Sequence, residues 1–448
     1  MDTVKHTGKI LTNNLWKLSW RMSWPIIMAM VFYGLNTVFD AILVGVFIGK
    51  KALAAVVVAY PLVSLTMGIG SLIGVGAGAI LSIAIGENDA EKMSGILGNV
   101  NFLSLLLSIA YLLLAVLTGK RILAFMGAEG EILALAFTYF QHTLYGVFFW
   151  IYGFAVNMVI RAEGKMKLAA IIMGGGLLIN VLLSYILIDI AKIGVAGAAW
   201  GSNMGMLLYG ICGCCYFRSR FVSYTSNPLS LHCDKHILRQ IITLGMAALI
   251  MVLMSLLQAV AVFRSVARHG TAIDLAVYGA SYRVYTLLMM PIAGFMRALQ
   301  PVVGINYGAR RFKRTVDAFL IFVILSTVCI LPIWFIISLY AEPILTRMMP
   351  GELLNPQQYQ NFRILLLATP IIPFLFMTMT LYPAIGKGAP AIVLAIIRQL
   401  IFYIPAMLIL PAIFGISSIY IASTVIEYIV AGIALVMVIC TCRKINKT

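Results

Sequence analysis

The stretch "LNTVFDAILVG", Leu35–Gly45, sets one carboxylate, Asp40, in the middle of an apolar run with no other charge between Arg21 and Lys50. Charged side chains are rare inside membranes and usually face an interior or a water-filled path. Burying an acid costs several kcal/mol, which structure alone rarely demands. Desolvation disfavours the charged form of a carboxyl, so an acid so placed can load and release a proton in a cycle. The alternative is an acid held by a structural hydrogen bond, with Asn36 one helical turn earlier as its partner. Further oxygens are available in "LLINVLLSYILID", where Asn180 and Ser184 stand four apart and share a helix face. Ser202 and Asn203 are placed to complete a cluster that holds a small cation or a proton relay. Asn and Ser in a membrane helix also commonly hydrogen-bond a neighbouring helix, and that reading stays open beside the first.

The elements that must position these residues follow from composition. Of 448 residues 62% are hydrophobic and 10% charged, and mean hydropathy is +1.02. A soluble domain carries about 25% charged residues, so the chain is an all-α integral membrane protein. The net charge of +17 lies in short loops rather than in a stripe, which argues against nucleic acid. The first apolar run is too long for a signal peptide and reads as an uncleaved first span. About 20 apolar residues cross a bilayer. That rule predicts six spans near Leu15–Val44, Leu53–Ile85, Gly95–Leu117, Ile132–Ile160, Leu168–Ile188 and Val195–Phe217. Six more are predicted near Ile237–Val262, Leu275–Ile305, Val316–Tyr340, Phe362–Ile385, Ala391–Ile413 and Ile416–Cys440. With both termini cytoplasmic, loops on that side hold 20 Lys or Arg against 8 on the other, as the positive-inside rule requires.

The chain is also duplicated. Gly49 pairs with Gly270 and Gly194 with Gly415 at an offset of 221, while Gly86 pairs with Gly308 and Gly164–Lys165 with Gly386–Lys387 at 222. Six spans per half is an even number, so the repeats are parallel and related by a pseudo-twofold axis along the membrane normal. The expected organisation is an N-terminal lobe over residues 1–218, a cytoplasmic linker over 219–235 and a C-terminal lobe over 236–448.

The second half has no counterpart of Asp40, since the 222 offset lands on Val262. It offers Gln258, Arg283, Arg297 and Gln300, Met289 beside Pro291, and Glu427 with Arg398 as a prospective partner. Asn36, Gln258, Arg283, Met289 and Gln300 are the candidate substrate contacts, with interhelical pairing as the competing use. Small residues recur every fourth position at Gly70, Gly74, Gly78, Ser82 and Gly86, which suits close helix packing rather than nucleotide binding. The seven cysteines form no framework, and "HCDKH" (His232, Cys233, His236) lacks paired ligand spacing, so no metal site is expected there. No Walker loop, HExxH or nucleophile elbow occurs, so the chain is not expected to be an enzyme.

"RMSWPIIMAMVFYGLNTVFDAILVG", "GENDAEK", "RAEGK", "IGVAGAAWGS" and "ALQPVVGINYGARR", in that order, resemble the multidrug and toxic compound extrusion (MATE) transporters, DinF-like branch. The resemblance covers nearly the whole chain. It implies a monomeric, secondary active exporter in the bacterial inner membrane, working by alternating access. Organic, cationic or amphipathic compounds would leave in exchange for H⁺ or Na⁺. The cargo would be a drug or a self-made natural product such as a precolibactin-like precursor. It also implies that Asp40, Asn180, Ser184 and Ser202 couple the ion. Ser184 stands where some members place a second acid, and the sodium-type acids of spans seven and ten are absent. No cofactor is expected beyond a Na⁺ or other monovalent cation at Asp40 and Asn180. The rival within the superfamily is a lipid-linked precursor flippase; a channel or receptor fits the duplication less well.

Overall fold

The computed structural model describes residues 8–219, 222, 224 and 227–445, and the remaining linker positions lie outside the described residues. Helices account for nearly all of it, and no strand occurs among the described residues. Lipid offers no hydrogen-bond partners, so each span must satisfy its backbone internally.

The first half comprises α1 (Leu15–Phe47), α2 (Lys50–Glu87), α3 (Ala90–Phe125), α4 (Gly130–Leu144), α5 (Val147–Ala162), α6 (Met166–Tyr185) and α7 (Val195–Arg218). The second comprises α8 (Lys235–His269), α9 (Ala272–Gly308), α10 (Phe312–Leu339), α11 (Ala341–Met348), α12 (Pro356–Leu366), α13 (Ile372–Ala384), α14 (Gly388–Ile396), α15 (Ile404–Phe414) and α16 (Ser417–Ile445). A π-helical segment, Ile186–Ile190, continues α6, and another, Ile397–Tyr403, joins α14 to α15. Polar caps fix several starts. The Asn14 side chain accepts from Trp16 N at 3.0 Å, Asp89 accepts from Lys92 N at 3.0 Å, and Thr271 with Asp274 forms a capping box.

Nine helical stretches among the described residues are long and apolar enough to cross a membrane. The predicted fourth span is a tenth, broken into α4 and α5 with a 57° bend. Predicted span six corresponds to α7, whose glycines and polar residues make it less apolar, and predicted span ten to the short α12 and α13. The count of twelve expected from hydropathy therefore includes two elements that are not long apolar rods.

The duplication recurs in backbone shape. Gly164 and Gly386 have φ of 81° and 75°, and Gly194 and Gly415 have 65° and 74°. Asn88 and Arg310, 222 apart, are left-handed at 61° and 55°, a conformation unusual for side-chain-bearing residues. Gly49 and Gly270 differ: φ is 123° at the first and −118° at the second.

Two lobes form, and α9 crosses between them to pack on α1 and α2, while α8 packs on α2. These crossings are glycine-lined and reciprocal. A Cβ on Gly76 would meet the Ile241 carbonyl and one on Gly245 the Leu72 carbonyl. Likewise Gly86 faces the Ile305 carbonyl and Gly308 that of Ile83. The expected small-residue stripe of α2 is therefore a packing device on two sides, because Gly70 and Gly74 abut Ile151, Phe154, Ala155 and Met158 of α5. The linker is fastened to α3. Asn101 Nδ2 donates to the Pro228 and Ser230 carbonyls at 3.0 and 2.8 Å, and Asp234 N donates to Asn99 Oδ1 at 2.9 Å.

Candidate ion-coupling and substrate site

Helix α1 carries Asp40 in its last two turns, half-buried, and packs against α6. Asn36, one turn earlier on the same face, donates Nδ2 to Asp40 Oδ2 at 3.1 Å. Asp40 Oδ1 and Asn36 Oδ1 are buried without a hydrogen-bond partner. On α6, Asn180 Nδ2 donates to Ser202 Oγ of α7 at 3.0 Å, leaving Asn180 Oδ1 unpartnered. Ser184 Oγ is also unpartnered, and its side chain presses on Gly201. The two packed helices α1 and α6 thus present four unsatisfied oxygens and no soft ligand. An all-oxygen set suits a hard cation or protonated water and not a transition metal. Among the described residues no group of His, Cys, Asp and Glu could hold a metal ion, and "HCDKH" forms no such group.

No hydrogen bond joins Asp40 directly to Asn180, Ser184 or Ser202 among the described residues. They form two pairs on neighbouring helices. Asn203, expected beside Ser202, does something else. Its Oδ1 accepts from Trp150 Nε1 at 3.0 Å and its Nδ2 donates to the His142 carbonyl at 2.7 Å. That amide braces the bend between α4 and α5, where Gly146 leaves it room. Sequence spacing missed three tyrosines. Tyr139 of α4 and Tyr33 of α1 lie within electrostatic range of Asp40, and Tyr60 of α2 is close to both. Tyr33 stands two turns before Asp40 on α1, a spacing visible in the sequence, whereas only the helix crossings bring Tyr139 and Tyr60 there.

The second-lobe candidates scatter. Gln258 Oε1 accepts from Gln399 Nε2 at 2.6 Å, an interhelical pair inside the lobe. Gln300 Nε2 donates to the Val75 carbonyl at 2.9 Å and ties α9 to α2 across the lobes. Met289 is half-buried in the core, Met290 packs on Gly34 of α1, and Arg283 is exposed. Arg398 and Glu427, separated by 29 positions, form a buried ion pair with Nη2–Oε1 at 2.5 Å and Nε at 3.1 Å from each carboxylate oxygen.

A family model described as MatE matches residues 25–186 and 246–409, one block in each lobe. The chain belongs to the MatE family. It is a membrane transporter and not an enzyme. MatE relatives include the multidrug export protein MepA of Staphylococcus aureus (strain MRSA252), 24% identical over 415 residues, with 91% of this chain and 89% of that protein covered. The MepA of Staphylococcus haemolyticus (strain JCSC1435) is 24% identical over 440 residues, 95% of this chain and 94% of its own. The fold matches an outward-facing multidrug resistance MATE transporter of the MOP superfamily with a TM-score of 0.92, at 22% identity and 98% coverage of both chains. It matches a MOP superfamily transporter from Pyrococcus furiosus Vc1 (DSM3638) equally well, with a TM-score of 0.92, 23% identity and 98% coverage of both.

Proposed function

We propose that the chain is a secondary active exporter of organic compounds, driven by inward flow of H⁺ or Na⁺ and working by alternating access. The observation that carries this is the Asp40–Asn36 pair on α1 and the Asn180–Ser202 pair on the helix packed against it and its neighbour, with one oxygen each of Asp40, Asn36, Asn180 and Ser184 left over. An uncompensated carboxylate resists enclosure in lipid, and a bound proton or cation removes that penalty. The ion then favours one state of the lobes by its differential affinity, which is the only way a ligand moves a conformational equilibrium. Asp40 is the charge that is neutralised, Asn36 holds its orientation, and Asn180, Ser184 and Ser202 supply the remaining oxygens. Na⁺, if it is the ion, is cargo of the cycle and not a resident cofactor.

The relatives named as multidrug exporters support a drug-like organic cargo; that it is cationic or amphipathic, a foreign drug or a self-made product, is what the family resemblance of the sequence motifs implies. Asn36, Gln258, Arg283, Met289 and Gln300 are proposed to line its path, Gln258 and Gln300 after leaving their present partners. The lobes are read as residues 1–218 and 236–448, with both termini cytoplasmic in a bacterial inner membrane, from the 20-to-8 bias in basic residues.

The test is ethidium flux in proteoliposomes under a pH gradient and a Na⁺ gradient imposed separately, with Asp40→Asn alongside. Flux under ΔpH that vanishes in the variant supports proton antiport. Flux under Na⁺ alone makes the same residues a cation site. Full flux in a folded Asp40→Asn protein removes the assignment, and translocation of a lipid-linked precursor without ethidium flux favours the flippase.

A further inference from the structure

The "RAEGK" motif places Arg161 in the last turn of α5, buried at 3% exposure. Its Nε donates to the Asn157 carbonyl at 3.2 Å, whereas Nη1 and Nη2 are buried with no hydrogen-bond partner. Arg297 Nη1 on α9 is in the same condition. The two belong to one neighbourhood. Gly78 of α2 lies against Met158 and Ala162, on either side of Arg161, and its other contact is Gln300 Nε2, one turn beyond Arg297 on α9. The charge of Arg297 is felt at Arg161, and both guanidinium groups lie within electrostatic range of Tyr209 on α7. Tyr33 of α1 stands within range of Arg297 and Asp40 together.

No carboxylate pairs with either arginine among the described residues. Glu163, nearest in sequence, accepts from Tyr216 Oη at 2.7 Å and faces Lys165 Nζ at 3.6 Å. Buried charges are ordinarily paired, and an orphaned one in a membrane marks a functional site. Two like charges held together with unused donors are the opposite of a structural ion pair. Planar guanidinium edges match carboxylate and phosphate oxygens, with two parallel hydrogen bonds available.

We propose that Arg161 and Arg297 form an anion subsite at the lobe interface, and that the exported compound carries a carboxylate or phosphate group that docks there. The inference rests on the transporter reading and adds a substrate class to it: zwitterionic or anionic amphiphiles, with the acid accommodated by the arginines and any cationic portion directed toward Tyr33 and Asp40.

The experiment measures binding by fluorescence anisotropy on the full chain in nanodiscs. The probes are a rhodamine with a free benzoate carboxylate and the methyl ester of the same dye. The free acid should bind about tenfold more tightly than the ester. Inorganic phosphate should compete with the free acid. Arg297→Gln should abolish the preference, and Arg297→Lys should keep part of it, which separates loss of charge from loss of fold. Equal affinity for the two dyes, or a preference untouched in both Arg297→Gln and Arg161→Gln, overturns the proposal. If phosphatidylglycerol nanodiscs displace the free acid and phosphatidylcholine nanodiscs do not, the occupant is a lipid headgroup and the cargo claim falls. Binding needs no gradient, so the two readings fail separately. A dye preference without gradient-driven flux removes the exporter, and flux with no dye preference removes the anion subsite.

Discussion

Gly86 and Gly308, 222 positions apart, each make room for a carbonyl of the other's helix: Ile305 for the first, Ile83 for the second. This reciprocal contact joins α2 to α9, and a second of the same kind joins α2 to α8 through Gly76 and Gly245. A methyl at any of the four must push backbone, which cannot swing aside as a side chain would. Gly308→Ala should therefore destabilise the closed crossing by about 1–3 kcal/mol. Thiol labelling of a cysteine introduced near the crossing should accelerate in the variant, and an unchanged labelling rate would mean that the helices absorb the methyl elsewhere.

The ion site gives a graded expectation. Asp40→Asn should abolish gradient-driven flux while leaving the thermal transition near that of the parent, because an amide retains the hydrogen bond with Asn36. Asn180→Ala removes a donor to Ser202 and one of the spare oxygens, so it should weaken the ion dependence without eliminating flux. The measurement is flux against ion concentration, and a curve for Asn180→Ala that superimposes on the parent's would exclude Asn180 from the site.

The Arg398–Glu427 pair is a structural prediction of a different kind. Glu427→Gln strands a buried guanidinium and should cost about 3–5 kcal/mol. Replacing both residues together, Arg398→Met with Glu427→Leu, should recover most of that stability. Thermal unfolding in detergent across the double-mutant cycle decides it, and additive effects would show that the two charges are not coupled.

Asn203 offers a fourth check. Asn203→Ala leaves the Trp150 indole N–H and the His142 carbonyl without partners, at about 1–3 kcal/mol for a buried group. The indole reports directly, since Trp150 fluorescence should shift, and an unaltered spectrum would contradict the brace.

What the sequence made legible was local or periodic. Asn36 and Asp40 are one helical turn apart, so their hydrogen bond follows from helix geometry alone. The glycine stripe of α2 announces close packing by its spacing, although which helix lies on which side does not follow from it. The Arg398–Glu427 pair was nameable only as a prospect, because its two helices meet through tertiary packing. Asn203 adjoins Ser202 in sequence yet faces the α4–α5 bend, since successive helical residues point about 100° apart. In the sequence Arg161 shows only as part of the turn motif "RAEGK". Its relation to Arg297 exists because α9 crosses into the other lobe, and no periodicity records a crossing. Gly49 and Gly270 show the converse, because matched positions in a repeat need not share a conformation.

Asp234 belongs to both halves at once. Its backbone N–H is held by Asn99 of α3, and its carboxylate caps α8 at His236 N and Ile237 N, 2.8 and 3.3 Å away. With residues 227–234 already stitched to the first lobe, the slack between the halves at this joint is close to nil. In the proposed alternating-access motion, Asp234 is then a joint at which the halves tilt rather than separate, beside the glycine crossings of α2 with α8 and α9.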